Sequence, residues 1–337
     1  MNEESTPPLP SDIPPALPTY KDRSTGLFIL GLLTLLMGFL AALLVPLMWL
    51  GQMAAAKAPN APAANVTTIL PVALIYGGLA VVLIWLGIGS MMARRWARAL
   101  LLIFSWAWLI MGIFMTAIIP FVTSKTLANL PPNAQTGQPA LPPGALTGMI
   151  VGMSIFFGIF FVLLPAIWVF FYKSPHVKAT CEARDPEARW TDACPLPVLA
   201  MSLWSCSAVP IMVLMPLTGH GVMPFFGTFL SGLPGSLFCL VIASIWGVSA
   251  WWLYRLDLRG WWLIFIAVAV FMASALITYT HHDIIEMYQR MGYPQAQIDL
   301  IQKTGFLTSN HFAWMTCLAS LPFLGYLLFV KKYFPQK

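Results

Sequence analysis

The sequence predicts an all-α fold, a polytopic transmembrane helix bundle of about eight spans arranged as two parallel four-span repeats. Three observations predict it. Of 337 residues, 59% are hydrophobic and only 9% charged, against about 25% charged in soluble domains, and the mean hydropathy is positive. The few charges are gathered together, leaving uncharged stretches at Ser24 to Ala56, Ala58 to Ala93, Ala99 to Ser124, Thr126 to Tyr172, Ala193 to Tyr254, Gly260 to His282 and Thr304 to Val330. Counted on alternate sides of the spans, 14 of the 18 Lys and Arg fall on one side. About 20 apolar residues at 1.5 Å rise cross a ~30 Å hydrocarbon core, so each stretch holds one span and the longest holds two.

In chain order, residues 1–25 carry Pro7, Pro8, Pro10, Pro14, Pro15 and Pro18 and too few apolar side chains to bury a core. They are expected to form a disordered, extended cytoplasmic tail. The first hydrophobic segment is longer than a signal-peptide core and follows this polar head, so it is expected to stay as an anchor. The first repeat, 26–173, holds spans at 27–50, 69–92, 99–122 and 148–172. Its loops on the far side, Ala54 to Ala64 and Leu130 to Gly144, have the composition of segments with little to bury. Gly148 and Gly152, followed by Ser154 and Gly158, are spaced for close helix approach and are expected to serve packing inside the bundle.

A charged cytoplasmic linker, 174–195, leads to the second repeat, 196–334, with spans at 197–217, 233–254, 260–280 and 312–331. The first two of these are joined by the turn-rich Thr218-Gly219-His220-Gly221 and Pro224, and Pro234 falls in the opening turn of the next helix. The last outer loop, 281–311, reads as two short helices: Asp283 to Met291, a turn at Gly292, then a helix opened by Pro294 and closed near Gly305. Ile284, Ile285, Met287, Tyr288 and Met291 recur at near-helical spacing. Two placements suit that face, flat against the outer membrane surface or as a cap over the mouth of the second half.

Orientation follows from the basic residues. Lys21, Arg23, the Arg94 to Arg98 turn, the linker, Arg255, Arg259 and the C-terminal lysines fall on one side, leaving only Lys57, Lys125, Arg290 and Lys303 on the other. An excess of Lys and Arg marks the cytoplasmic side, which puts both termini in the cytoplasm of a cell membrane. The net charge of +6 is thereby a topology signal, and no nucleic-acid partner is expected. Laying residues 85 to 104 over 246 to 265 pairs Trp85 with Trp246, Arg94 with Arg255, Arg98 with Arg259 and Leu102-Ile103-Phe104 with Leu263-Ile264-Phe265. Pro165 before Lys173 likewise resembles Pro322 before Lys331. Units with an even number of spans enter the membrane the same way, hence parallel repeats.

Three groups of residues are candidates for chemistry. His220, His281, His282 and His311 fall on the outer face, with Asp283 and Glu286 nearby; His282 and Glu286 are four apart, on one side of any helix through them. They offer imidazole and carboxylate ligands for a divalent transition metal, or else simply end a helix and sit in the polar interface. On the inner face His176, Cys181 and Cys194 form a candidate thiol or zinc site, with wide spacing and no fourth ligand, against a plain reading in which the linker packs on the bundle. Arg94, Arg95 and Arg98, echoed by Arg255 and Arg259 and flanked by tryptophans, are candidates for anionic lipid headgroups or for ordinary anchoring.

No nucleophile triad, phosphate-cradling loop or dinucleotide fingerprint stands in a usable context, so catalysis and a resident cofactor are not expected. The span centres hold no Asp, Glu or His, which argues against ion-coupled transport. The leading expectation is a non-catalytic accessory or scaffold subunit that packs with a membrane protein partner or with its own copies. The alternatives are a carrier or channel for a neutral or apolar substrate with a pathway between the repeats, and an outer-face metal-binding protein or metalloenzyme.

Overall fold

The computed structural model describes residues 20–55, 66–129, 143–293, 295–304 and 309–335. Most of the Pro-rich tail and of the two far-side loops of the first half lie outside these residues. Eight helices are long and apolar enough to cross a membrane, at Ser24–Ala54, Val72–Met91, Arg95–Ile118, Thr147–Lys173, Leu196–Thr218, Gly232–Tyr254, Leu258–His281 and Phe312–Lys331. Each coincides with one of the eight spans read from hydropathy, and the architecture is that of a multi-pass helical membrane protein. Both ends of the described chain lie at the face carrying the arginine turns, here the basic face; the histidine face is opposite.

Helix α1 (Ser24–Ala55) and α2 (Val66–Met91) form the closest pair. A methyl group on Gly31 would stand 2.8 Å from the Met91 nitrogen and 2.9 Å from the Gly87 carbonyl, and one on Gly38 2.9 Å from the Ile84 nitrogen. Gly31 and Gly38 on one helix, Ala80 and Gly87 on the other, are two turns apart, which brings the two backbones together along a continuous seam. The spacing of four at Gly148 and Gly152 does not do this: no atom lies within 4 Å of where a methyl on either would be. The expectation that those glycines pack inside the bundle is therefore corrected.

Helix α3 (Arg95–Asn129) packs on a fourth span built in three pieces, α4 (Pro143–Phe157), a π-helical stretch (Gly158–Leu163) and α5 (Leu164–Lys173). Pro165 has no N–H for the Phe161 carbonyl, and in a regular α turn its ring would strike that oxygen. The wider π turn relieves this. The Phe161 carbonyl comes instead against Gly112 of α3, where any β-carbon would overlap it. Pro322, the expected counterpart, sits inside an unbroken helix α12 (Ser309–Lys331).

The linker forms α6 (Pro175–Arg184) and a 3-10 turn (Trp190–Asp192), then α7 (Leu196–Gly219), which rests on both α2 and α3. A two-stranded hairpin, β1 (Met223–Phe225) and β2 (Thr228–Leu230), follows where only turns were expected. Its corner, Phe226 at φ 39° and Gly227 at φ 88°, has the doubly left-handed form that matches strand twist. Helix α8 (Gly232–Tyr254) and α9 (Leu258–His281) complete the hairpin's surroundings. The Phe226 and Gly227 amides donate to the hydroxyls of Ser274 (2.9 Å) and Thr278 (3.0 Å) on α9.

Helices α10 (Ile284–Arg290) and α11 (Gln295–Thr304) bury Ile284, Ile285, Met287 and Ile298 against Val222, Phe229 and Tyr279. Of the two placements open to this apolar face, the structure has the cap over the second half. Two further cores sit at the basic face, one around Leu27, Leu101, Tyr172 and Val177 in the first half, one around Val198, Leu253, Trp261 and Leu327 in the second.

The turns at the basic face share one backbone design. After α2, Ala93 is left-handed (φ 51°), its amide donating to Ser90 and that of Arg94 to Gly89; after α8, Leu256 is left-handed (φ 58°), its amide donating to Leu253 and that of Asp257 to Trp252. This is the Schellman ending of a helix. It equates Ala93 with Leu256, two residues out of step with the pairing of Arg94 and Arg255 suggested by side-chain identities. Superposing the two turns on Ala93 and Leu256 sets the buried small residues Ala80 and Gly87 against Ala243 and Ala250.

Candidate functional site

At the basic face the linker is stitched to the bundle by charge. Helix α6 buries Val177, Thr180 and Cys181. The chain just before α1 runs along it: Lys21 donates its amide to His176 Nδ1 (3.4 Å), Arg23 to Thr180 Oγ1 (3.1 Å), and Asp22 pairs with Arg184 (3.6 Å). Beyond α6 the buried Asp185 carboxylate accepts from Arg189 (2.6 Å) and from the Arg95 amide in the first turn of α3 (3.3 Å), and stands 3.6 Å from Arg94. A carboxylate suits the positive end of a helix. The Arg189 hydrogen bond, outweighing burial, holds Asp185 below the usual carboxylate range.

The arginines of the first turn divide. Arg95 reaches Asp192 (3.4 Å), Glu182 (3.8 Å) and the Pro186 carbonyl (3.3 Å), all on the linker. Arg98 is turned inward, with its Nε buried. Arg94 remains on the rim of a cleft of about 380 Å³ lined by Trp85, Ile88, Gly89, Met92, Trp96 and Arg189. Trp85 and Trp96 form its aromatic wall, stacked at 4.2 Å and 19°. Gly89 lets this happen, since a methyl there would stand 2.5 Å from the Trp96 ring and 2.7 Å from the Ala97 methyl. In the second turn Arg255 lies on the Trp251 ring (4.3 Å), while Arg259 lies over Trp252 (5.3 Å) and pairs with Asp257 (2.7 Å). Lys331 covers Trp261 (4.7 Å).

His176, Cys181 and Cys194 have separate employment. His176 accepts from the Lys21 amide. Burial pushes the Cys181 thiol up to about 11, against the lowering influence of Arg98, and burial pushes Cys194 up to about 11. Both thiols are buried, Cys181 within α6 and Cys194 just before α7.

On the opposite face His282 Nδ1 meets Glu286 Oε2 at 2.7 Å, Glu286 pairs with Arg290 at 2.6 Å, and Arg290 donates to the Phe229 carbonyl at 2.7 Å. The one-sided spacing of His282 and Glu286 is thus realised, as a strut from α9 through α10 to the hairpin. Asp283 caps α10 by accepting from the Ile285 amide (3.2 Å). His282, then Arg290, hold Glu286 below the usual carboxylate range. His281 bonds the Ile277 carbonyl (2.8 Å) at the end of α9, and the His220 ring lies on Gly292. The His311 side chain lies outside the described residues. Among the described residues no three His, Cys, Asp or Glu side chains gather in a metal-holding group.

Within the spans polar groups tie helices together. Ser90 donates to the Leu27 carbonyl (3.0 Å), so the hydrogen in its 2.7 Å contact with Tyr172 comes from the phenol. Ser202 donates to Ala250 (2.7 Å), Trp261 to Leu327 (2.7 Å), and Trp168 to the Thr34 hydroxyl (3.3 Å). Hydropathy found the spans but could not find these ties, because a Ser or Trp in an apolar run carries no mark of its partner. Set beside protein-family models, curated proteins and solved structures, the chain matches none.

Proposed function

We propose that this chain is a non-catalytic subunit of a cell membrane, with both termini and the basic face in the cytoplasm, serving as a scaffold on which a partner helix packs. One observation carries the reading: among the described residues five contacts made by Ser90, Tyr172, Trp168, Ser202 and Trp261 tie helix to helix. Many other span hydroxyls bond a carbonyl of their own helix, with Thr116 and Ser249 the buried exceptions, leaving the bundle interior little with which to bind or transform a substrate. The duplicated plan, two parallel four-span units, is part of the same proposal. It is supported by the shared Schellman turns and by the matching small residues of α2 and α8.

The fourth span is where a partner would pack. Only 6% of its most apolar stretch is buried, against 19% to 28% in the other seven spans, and Gly148 and Gly152 are open. Affinity purification from the native membrane tests this. The expected result is a stoichiometric companion, another protein or a second copy, that is lost from a Gly148→Leu, Gly152→Leu variant. A chain that purifies alone and monomeric from mild detergent, with uptake of a neutral solute into proteoliposomes, would replace the scaffold with the carrier reading.

A further inference from the structure

We propose that the cleft beside the first arginine turn binds one anionic glycerophospholipid of the adjoining leaflet, its phosphodiester between Arg94 and Arg189 and its glycerol and first acyl carbons along Trp85, Ile88 and Met92. The inference rests on the membrane reading of the fold but not on any protein partner.

The cleft grades from polar to apolar along the membrane normal. Arg94 and Arg189 stand at the level of the turn and linker, whereas Trp85, Ile88 and Met92 climb the last two turns of α2, are exposed, and are apolar. Trp85 is about 9 Å above the inner end of α2 at 1.5 Å per residue, well inside the leaflet. A lipid has the same gradient over the same distance, with phosphate outermost. Guanidinium groups match phosphate oxygens in geometry as well as charge. The lining holds two arginines and no carboxylate; Arg189 is shared between Asp185 (2.6 Å) and Glu187 (3.3 Å), whereas Arg94 has only its 3.6 Å approach to Asp185, which leaves the Arg94 guanidinium the better placed to take the phosphodiester. A zwitterionic headgroup would bring its ammonium into a lining that holds Arg94 and Arg189 and no carboxylate, so the net-negative headgroup is favoured.

The second turn supplies the control. Where the first turn has Gly89, the equivalent residue is Trp252, whose ring takes the Arg259 guanidinium, and Arg255 is spent on Trp251. The same backbone thus presents an open cleft with free-rimmed arginine in one half and a filled surface in the other. Ordinary anchoring would treat both turns alike.

Native mass spectrometry of the delipidated full chain, titrated with phosphatidylglycerol, phosphatidylcholine and inorganic phosphate, reads the site directly. The expected result is one tight phosphatidylglycerol adduct not matched by phosphatidylcholine or inorganic phosphate. Arg94→Gln, which leaves Asp185 its Arg189 partner, is expected to weaken that adduct about tenfold, and Arg255→Gln to leave it unchanged. Ile88→Trp fills the cleft without altering charge and is expected to weaken the adduct too, which decides the matter should Arg94→Gln fold poorly. Equal losses from Arg94→Gln and Arg255→Gln, equal binding of the two lipids, or inorganic phosphate occupying the site in the lipid's place would overturn the proposal.

Discussion

The two turns at the basic face begin from the same backbone and end in different uses. Both close a helix with a left-handed residue and the same pair of amide bonds, at Ala93 and at Leu256. In the first, Asp185 reaches in from a distant linker, so the turn is locked to α6 and to the chain preceding α1. In the second, Asp257 is the turn's own residue, bonding the Arg259 amide and side chain at the start of α9. A backbone turn sets where the side chains leave the helix ends. Whether a partner is local or remote then decides how much of the fold depends on them.

The largest expected effect breaks that comparison at its remote partner. Asp185→Asn leaves Arg94, Arg189 and the first amides of α3 facing a neutral group in a buried place, and is expected to cost roughly 3 kcal/mol, read as lost thermal stability in detergent. The matching Asp257→Asn, whose partner Arg259 is 74% exposed, is expected to cost about 1 kcal/mol or less. Equal costs would remove the distinction between the turns.

The helix pairs above the turns sharpen it next. Gly87→Ala puts a methyl 2.7 Å from the Leu35 nitrogen and must part α1 from α2, for about 1–3 kcal/mol. The corresponding position in α8 already holds Ala250 beneath the Ser202 hydroxyl. Ala250→Gly there is expected to lose only about 1 kcal/mol of helix propensity.

A smaller and local effect belongs to the cap. Glu286 is held below its ordinary value of 4.5 by His282 and Arg290. A depressed folded-state value means that its contribution is present above the unfolded value and is lost as pH falls through the folded one. Protection of the α10 amides, corrected for the intrinsic pH dependence of exchange, is expected to fall once the pH drops through the depressed titration range of Glu286, and Glu286→Gln to show the lower protection already at neutral pH. Exchange in α6, away from this strut, should not follow the same dependence on Glu286.

Much of the fold was legible because lipid solvent leaves a coarse signal: seven uncharged stretches, the longest long enough for two spans, hold the eight membrane-compatible helices. The side-chain match of Arg94 with Arg255 lies two residues out of step with the shared backbone turn, since identical arginines at a membrane interface need not occupy one backbone position. The left-handed residue of each turn is Ala in one and Leu in the other and carries no mark in the sequence. The β-hairpin escaped because strands of three residues are too short to alternate, although Phe226-Gly227 between apolar neighbours was its trace. The seam of α1 and α2 was written in Gly31, Gly38, Ala80 and Gly87, at a spacing of seven rather than the four that drew attention to Gly148. The cleft was legible only in part: Arg94 and Trp96 stood out, but Arg189 comes from a linker ninety-odd positions away and Gly89 is one glycine in an apolar run.

The most direct test of the central claim, two four-span units entering the membrane the same way, is the sidedness of the two turns and the cap. Single cysteines at Glu187, beside the first turn, at Arg259 in the second and at Gln289 in the cap, in a background free of native cysteine, are exposed to a membrane-impermeant maleimide on intact cells. The account predicts labelling at Gln289 alone, with Glu187 and Arg259 labelled together only after permeabilisation. Labelling of Glu187 and Arg259 from opposite sides would contradict it.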